Sequence, residues 1–245
     1  MSTYGTLIAA QGATFYWSMD DVSTPVVDTI GGLNMTEIGT SLTYRKLAAV
    51  GTGIDFPSVT NKYLTSASTN TLSYNNTDWS ISLFIKWDSR SGNQGIVSKR
   101  ISSADGRAFS LFLYGNLDGQ VYMDLGNNNS RWQTDFLPDI GRLYHIAFTY
   151  KYSTNARRFY VDGVLKKAGT DTISRPTAGV SNAAITIGIF GGASSSTFDG
   201  VLDEVAIFST KELSAAEVAL QYATATPIYR VHNGTTFVHA EKTIL

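Results

Sequence analysis

The sequence predicts an all-β sandwich of two antiparallel sheets, and three observations support this fold class. Short runs of alternating apolar and polar residues recur along the chain, with turn-forming residues between them. Aromatic residues make up 12% of the chain and 22 residues are glycine, a mix that suits strands joined by tight turns. The third observation is a single well-capped helix near the C-terminus, after the last predicted strand of the sandwich. Many strands followed by one helix are typical of a sandwich.

Composition and charge exclude several classes of protein. The chain has 245 residues, of which 43% are hydrophobic, enough to form the core of one large sandwich. The net charge is −1 and basic residues are scattered, so we expect no nucleic-acid partner. There is no cysteine, so the fold uses neither disulfides nor thiolate metal sites. No apolar segment approaches membrane-spanning length and no secretory signal is recognisable, so we expect no membrane insertion.

The clearest strand is predicted over Asp78–Trp87, where large apolar residues occupy every second position. These residues are Trp79, Ile81, Leu83, Ile85 and Trp87. A hairpin is predicted from two further strands, Ala108–Tyr114 and Gln120–Leu125, which flank a turn at 116–119. Each strand is expected to have one packed face.

The next strands follow the same pattern. Leu143–Tyr150 alternates large apolar residues with smaller or polar ones. Asp162-Gly163 lies between two extended runs and is a strong signal for a type I′ hairpin turn. Ile185–Phe190 is a further apolar strand.

A strand and a helix are predicted over Phe198–Tyr222. Strict alternation would place Asp203 and Glu204 on opposite faces of the strand. Ser214 and Glu217 have the spacing of a capping box, and Leu213 and Val218 that of a hydrophobic staple.

The tail, residues 225–245, is predicted to form an appended hairpin after the sandwich of residues 1–224. Ile228–His232 would pair with Thr236–Ala240 around an Asn233-Gly234 turn. Because an isolated two-stranded hairpin is barely stable in water, it must pack on something. It either packs on its own domain or serves as a docking or oligomerisation arm.

Six sequence blocks, in order between residues 13 and 222, resemble those of laminin-G-like domains of the concanavalin-A-like superfamily. They are ATFYWSMDD with the Asp28-x-x-Gly31 loop, GIDFP, DWSISLFIKW, LYHIAFTY, FYVDGVL and the final G-x-L-D-E strand with its L-S-x-x-E helix. One departure is Leu143-Tyr144, where the family usually has Trp-His. The resemblance implies a jelly-roll sandwich.

The resemblance also implies a structural Ca²⁺, since many of these domains hold one between the first strand and a late one. Asp20 and Asp203 are the corresponding positions. The competing interpretation is that Asp203 pairs with a backbone amide or a cation and that Asp20 is a turn residue.

No catalytic arrangement is recognisable in the sequence, so the chain is predicted not to be an enzyme. Sugar-cleaving relatives carry carboxylates spaced Glu-x-Asp-x-x-Glu on one strand, and this spacing does not occur here. Carboxylates brought together from separate strands are the alternative that would make the chain a glycan-cleaving enzyme.

Three aromatic residues at solvent-leaning positions are the candidates for ligand binding: Tyr114, Tyr122 and Trp132. Exposed rings on a sheet face can stack on sugars. For each of them a place in the core or in an interface is the competing interpretation.

Two functions fit these observations. The tail resembles those that end many bacteriophage tail and virion proteins, which implies a non-catalytic adhesive or structural protein on a virion, such as a minor tail, fibre or decoration protein. Its partners would be other virion proteins or further copies of itself, with a cell-surface glycan as ligand. The alternative is a free-standing, extracellular carbohydrate-binding or cell-adhesion module from a bacterium.

Overall fold

A computed structural model describes most of the chain. The residues outside the description are 41, 60, 69–76, 101–106, 126–130, 171–182, 191–195, 226–229, 233–236 and 240–245.

The described residues form mainly short strands, with one helix before them and one after the sandwich. The helices are α1 (Thr3–Ala10) and α2 (Ala215–Thr224). The strands are β1 (Phe15–Trp17), β2 (Met35–Ile38), β3 (Thr43–Leu47), β4 (Thr52–Phe56), β5 (Tyr63–Ser68), β6 (Trp79–Trp87), β7 (Asn93–Arg100), β8 (Arg107–Tyr114), β9 (Val121–Leu125), β10 (Arg131–Gln133), β11 (Leu143–Lys151), β12 (Ala156–Val161), β13 (Val164–Thr170), β14 (Ala184–Ile187), β15 (Gly200–Phe208), β16 (Arg230–His232) and β17 (Phe237–His239).

The strands build two antiparallel sheets that pack as a sandwich, as predicted. The eight-stranded sheet has the order β13-β12-β11-β6-β15-β4-β3, with β1 also paired to β15. The seven-stranded sheet has the order β10-β9-β8-β7-β14-β5-β2. Strands that are adjacent in a sheet are often distant in sequence, as with β6 and β15. This is typical of jelly-roll topology.

The main core lies between the two sheets. Along β6 the alternate residues from Trp79 to Trp87 all face this core, and along β11 the residues Tyr144, Ile146, Phe148 and Tyr150 do the same. The predicted inward faces of both strands are therefore confirmed. The sandwich hides these large rings from water, which is the main driving force for folding.

A second, smaller core lies on the outer face of the eight-stranded sheet, where α1 and α2 cover it. Tyr4 and Ile8 of α1 and Val218 of α2 pack there with Phe84 and Phe208 of the sheet. Helix α1 was not predicted, because TYGTLIAA contains a glycine and two threonines and has no strong apolar period. Within the described part of the chain, neither helix is long and apolar enough to cross a membrane.

A buried polar chain connects the two helices to the sheet. His145 is fully buried, and its Nε2 lies 3.3 Å from Gln221 Oε1. Gln221 Nε2 in turn donates to Gln11 Oε1 at 2.7 Å. Burial lowers the pKa of His145 to about 4, so the ring is neutral over most of the pH range.

The predicted turns and helix cap have the expected geometry. Asp162 and Gly163 both have positive φ, 51° and 77°, as a type I′ turn requires. Ser214 accepts the Glu217 amide while the Glu217 side chain accepts the Ser214 amide, which completes the capping box.

The tail contains a short antiparallel pair, β16 with β17, in which Val231 lies opposite Val238. These strands fall within the predicted arms and form a two-stranded sheet of their own. The predicted Asn233-Gly234 turn lies outside the described residues.

Candidate functional site

A cluster of aromatic and charged side chains lies on the outer face of the seven-stranded sheet, which we call the aromatic–arginine face. It is built from alternate residues of three neighbouring strands, because the residues between them point into the core. Its members are Phe112, Tyr114, Tyr122, Asp124, Arg131 and Gln133. Strand register brings them together: Phe112 lies opposite Tyr122, and Arg131 lies opposite Asp124.

The floor of this face consists of packed rings. Phe112 and Tyr122 stack with centroids 5.8 Å apart, and Tyr114 meets Tyr122 edge-on at 5.5 Å. Phe190, from the segment after β14, packs edge-on against Phe112 at 4.7 Å. Phe112 and Tyr122 are buried, whereas Tyr114 and Phe190 are half-buried.

Arg131 lies over these rings and is held rigidly. Its Nε and Nη2 donate to the two oxygens of Asp124 at 2.9 and 3.0 Å. Its guanidinium carbon lies 5.0 Å from the Phe112 ring centre and 4.8 Å from that of Tyr114. Asp124 is fully buried, so the bidentate pair and the two rings hold the guanidinium in one orientation.

Asp118, in the turn between β8 and β9, holds the other side of the cluster. Its Oδ2 accepts from the Tyr122 hydroxyl at 2.6 Å and from Gln133 Nε2 at 2.9 Å. Burial and the neighbouring Asp118 carboxylate raise the pKa of Tyr122, so its hydroxyl stays protonated as a donor. The half-exposed groups that remain available to a ligand belong to Tyr114, Arg131 and Gln133.

The three predicted ligand-binding aromatics have different positions. Tyr114 is half-buried on the outer face, as a binding residue requires. Tyr122 is on the same face but only 6% exposed, so the expected solvent-leaning position is wrong and the residue supports its neighbours.

Trp132 was also expected to lean toward solvent, and this too is wrong. It lies opposite Met123, points into the main core and packs edge-on against Phe148 at 5.6 Å. Strand β10 has only three residues and was not predicted, so no alternation was available from which to assign its inward face.

The two predicted metal-binding carboxylates accept hydrogen bonds from the two ends of one loop, residues 49–52. Asp203 Oδ2 accepts the amides of Ala49 and Val50, each at 3.0 Å. Asp20 Oδ1 accepts the amide of Thr52 at 2.8 Å and its hydroxyl at 3.1 Å. The backbone-amide role weighed for Asp203 is therefore present, and the Ca²⁺ site remains a prediction.

The loop geometry meets only part of what Ca²⁺ requires. Asp203 Oδ1 is buried without a hydrogen-bond partner, which leaves one oxygen for a ligand. Ca²⁺ takes six to eight oxygens, so backbone carbonyls and water would have to complete its shell. Among the described residues no group of three or more His, Cys, Asp or Glu side chains is suited to a metal ion.

Asp203 and Glu204 lie on the same face of β15, contrary to the predicted alternation. Glu204 has a φ of 55°, and the register with β6 shifts between Asp203 and Ala206. This bulge inserts an extra residue, so Leu202 and Val205 both face the main core and the two carboxyls both face the helices.

The carboxyl pair is buried beneath α1. The Tyr16 hydroxyl donates to Glu204 Oε2, while Glu204 Oε1 and the Tyr4 hydroxyl have no partner. Burial raises the pKa of Glu204 to about 8. Burial, and then the charge of Glu204, raise the pKa of Asp203 well above its usual value. The pair therefore favours at least one proton in the folded protein.

Five residues of the site were not predicted from the sequence: Phe112, Asp118, Asp124, Arg131 and Gln133. One of them had a usable signal: the predicted hairpin and its alternation place Phe112 on the same face as Tyr114. The others needed the register of β9 with β10, which no local pattern supplies.

Comparison with known proteins identifies the family. The family model of the concanavalin A-like lectin/glucanases superfamily matches residues 58–219, more than half of the chain. The chain therefore belongs to the concanavalin A-like lectin/glucanases superfamily. No curated protein sequence matches it significantly.

Solved structures with the same fold come from proteins of different kinds. Domain 4 of a GH43 extracellular arabinanase from Geobacillus stearothermophilus, in complex with arabinotriose, is 18% identical, with a TM-score of 0.67 over 86% of this chain and 98% of that one. The Trypanosoma rangeli sialidase is 13% identical, with a TM-score of 0.64 over 86% of this chain and 33% of that one.

The binding domain of botulinum neurotoxin serotype G is 16% identical, with a TM-score of 0.65 over 91% of this chain and 53% of that one. The chain thus spans nearly all of the arabinanase domain, but about a third of the sialidase and half of the neurotoxin domain. At these identities the similarity establishes the fold.

Proposed function

We propose that this chain is a non-catalytic adhesive module that binds a glycan on its aromatic–arginine face. The observation that carries the proposal is the half-exposed set of Tyr114, Arg131 and Gln133, of which Arg131 is held by the buried Asp124 and Gln133 by the exposed Asp118. An aromatic ring packs on the apolar face of a sugar, while guanidinium and amide groups donate to its hydroxyls. That the similar arabinanase domain was solved with arabinotriose supports this assignment.

The arrangement of the carboxylates supports a binding role rather than catalysis. Glycoside hydrolysis needs two carboxyl groups on either side of a bound sugar. On the aromatic–arginine face, Asp124 is engaged by Arg131, and Asp118 by Tyr122 and Gln133. The Asp203–Glu204 pair lies on the other sheet, buried beneath α1.

The glycan module is further proposed to work on a bacteriophage particle, as a minor tail, fibre or decoration protein. The resemblance of the tail to the ends of virion proteins supports this, as does a sandwich whose stability needs no disulfide. A free-standing bacterial module is the alternative. An antibody against the chain should label purified phage particles by electron microscopy in the first case, and bacterial surfaces without phage in the second.

The test of glycan binding uses purified protein, whole bacterial cells and a panel of surface polysaccharides. We expect saturable binding that one polysaccharide competes away. Tyr114→Ala should weaken it about fivefold, because a stacked ring contributes on the order of 1 kcal/mol. Gln133→Ala should also weaken polysaccharide binding. The matched control is Tyr222→Ala, on the opposite side of the sandwich, which should leave the affinity unchanged.

Two results would contradict glycan binding at this face. Absence of binding to every cell and polysaccharide would favour a purely structural role. Binding that resists both Tyr114→Ala and Gln133→Ala would place the ligand elsewhere on the molecule.

A structural Ca²⁺ near the 49–52 loop is part of the same proposal. The partnerless Asp203 Oδ1 and the nearby Asp20 carboxylate would supply oxygen ligands. Bound there, the ion would neutralise buried negative charge and connect the first strand region to β15.

A further inference from the structure

The start of the tail lies close to an open edge of the eight-stranded sheet. Helix α2 packs on the turn that begins β13, so that a Cβ on Gly163 would lie 3.2 Å from Ala219 Cα and 3.2 Å from Tyr222 Cβ. The helix ends at Thr224, and β16 begins five residues beyond Ala225. The chain therefore leaves the sandwich beside β13.

Strand β13 has an unpaired side. It stands at the end of the strand order, and no strand in the described part of the chain pairs with its outer edge. Its first two residues are apolar and exposed, Val164 by 70% and Leu165 by 48%. An open edge of this length is a template for another strand. Lys166 and Lys167 follow in the same strand, and such charges discourage unspecific pairing.

The hairpin of β16 and β17 needs a partner. Each of its strands has three residues, and a two-stranded sheet of this size is marginal in water. Its backbone can extend an existing sheet, which supplies both hydrogen bonds and a surface for apolar side chains. The hairpin begins five residues beyond Ala225, and among the described residues it forms a sheet of its own, separate from β13. Within the part of the chain that the structure describes, the outer edge of β13 is therefore unoccupied.

We propose that the hairpin of one copy pairs with the β13 edge of a second copy, and that the exchange is reciprocal. A twofold axis near the turn at 162–163 would bring the hairpin of each copy to the β13 edge of the other copy. The hairpin–β13 contact would then form twice in the dimer. The hairpin contributes strands, and Val164 and Leu165 contribute apolar surface. The proposal is independent of glycan binding, which uses the opposite sheet.

The first test compares oligomeric state by light scattering after gel filtration. The full chain is expected to be dimeric, and a chain ending at Ala225 monomeric with unchanged glycan binding. Leu165→Asp should also give a monomer, because a charge at the edge would be buried unpaired. The matched control is Leu47→Asp, on the opposite edge strand β3 and similarly exposed, at 52%. It should remain dimeric.

The second test separates exchange between copies from pairing within one chain. Because the chain has no cysteine, single cysteines can be introduced without background. Chains carrying Leu165→Cys and chains carrying Val238→Cys are mixed and treated with a short bifunctional maleimide. A crosslinked heterodimer is expected, and Leu47→Cys mixed with Val238→Cys should give none.

Either of two outcomes would overturn the proposal. One is a full chain that stays monomeric at every concentration tested. The other is crosslinking only when Leu165→Cys and Val238→Cys are in the same chain, which would show that the hairpin folds back on its own sheet.

Discussion

At the scale of single residues, the backbone conformation of Glu204 decides where two buried carboxyls lie. Its positive φ creates the bulge that turns two adjacent carboxyls to the same side of β15. Non-glycine residues rarely adopt this conformation, so the surrounding packing must compensate for its cost. The Tyr16 hydroxyl supplies one hydrogen bond, and helix α1 excludes water from the rest.

This burial predicts a loss of stability as the pH rises. The pKa of Glu204 is about 8 in the folded protein, above its ordinary value of 4.5. A raised carboxyl pKa makes the folded state retain its proton while the unfolded chain releases it, so stability falls between about pH 4.5 and 8. Glu204→Gln should reduce this decline and raise the free energy of unfolding at pH 8 by on the order of a few kcal/mol, while the raised pKa of Asp203 leaves a remaining decline.

The measurement is urea denaturation across this pH range with a chelator present. His145 titrates with the opposite sign, because its lowered pKa makes stability rise with pH, so the variant must be compared with the unmodified chain at each pH. Asp88→Asn, which removes an exposed carboxylate, is the control. Parallel pH profiles for the unmodified chain and Glu204→Gln would show that Glu204 does not titrate in this window.

At the scale of elements, the two helices differ in how much of their stability is local. Helix α2 begins with a complete capping box, and Lys211 adds an ion pair to Glu217. Helix α1 has only the Ser2 cap and depends on Tyr4 and Ile8 packing against the sheet. Short helices of this kind are formed by tertiary contacts.

Ser214→Ala should therefore destabilise the whole sandwich by about 1 kcal/mol, the usual cost of losing an N-cap. The reason is that α2 covers the second core, so loosening its first turn also exposes Leu213 and Val218. Chemical denaturation measures the loss. Ser214→Asp keeps an acceptor at the cap and should recover most of it; an equal loss in both variants would mean that packing, and not capping, is affected.

At the scale of the whole molecule, the 49–52 loop connects the region after β1 to the centre of the eight-stranded sheet. Asp203 and Asp20 accept hydrogen bonds from the backbone at its two ends, so a cation held by both carboxylates would stabilise the whole loop. A ligand that binds only the folded state stabilises the whole sandwich and raises its melting temperature.

Adding Ca²⁺ to chelated protein should raise the melting temperature by on the order of a few degrees, if the loop binds the ion. Asp203→Asn should abolish the rise, whereas Asp55→Asn, in the neighbouring strand β4, should keep it. Differential scanning calorimetry is the measurement, with Mg²⁺ as the control ion. An unchanged melting temperature would remove calcium from the proposal.

The sequence by itself determined most of the framework. Alternation predicted the inward faces of β6 and β11, because a two-residue period follows directly from strand geometry. The Asp162-Gly163 turn and the Ser214 capping box were predictable because they depend on atoms within four residues. Asp28, in the Asp28-x-x-Gly31 block, accepts the nearby amides of Ile30 and Gly31, each at 3.0 Å, and also the amide of Tyr16, twelve positions away.

Only the tertiary structure decided where the functional side chains lie. Trp132 points inward and Arg131 outward because β10 pairs with β9 in one particular register, which depends on the whole sheet. Asp203 and Glu204 share a face because β15 bulges against β6, a contact between residues more than a hundred positions apart. Helix α1 exists because the sheet offers it an apolar surface. Local patterns set the elements of this protein, and contacts distant in sequence set its site.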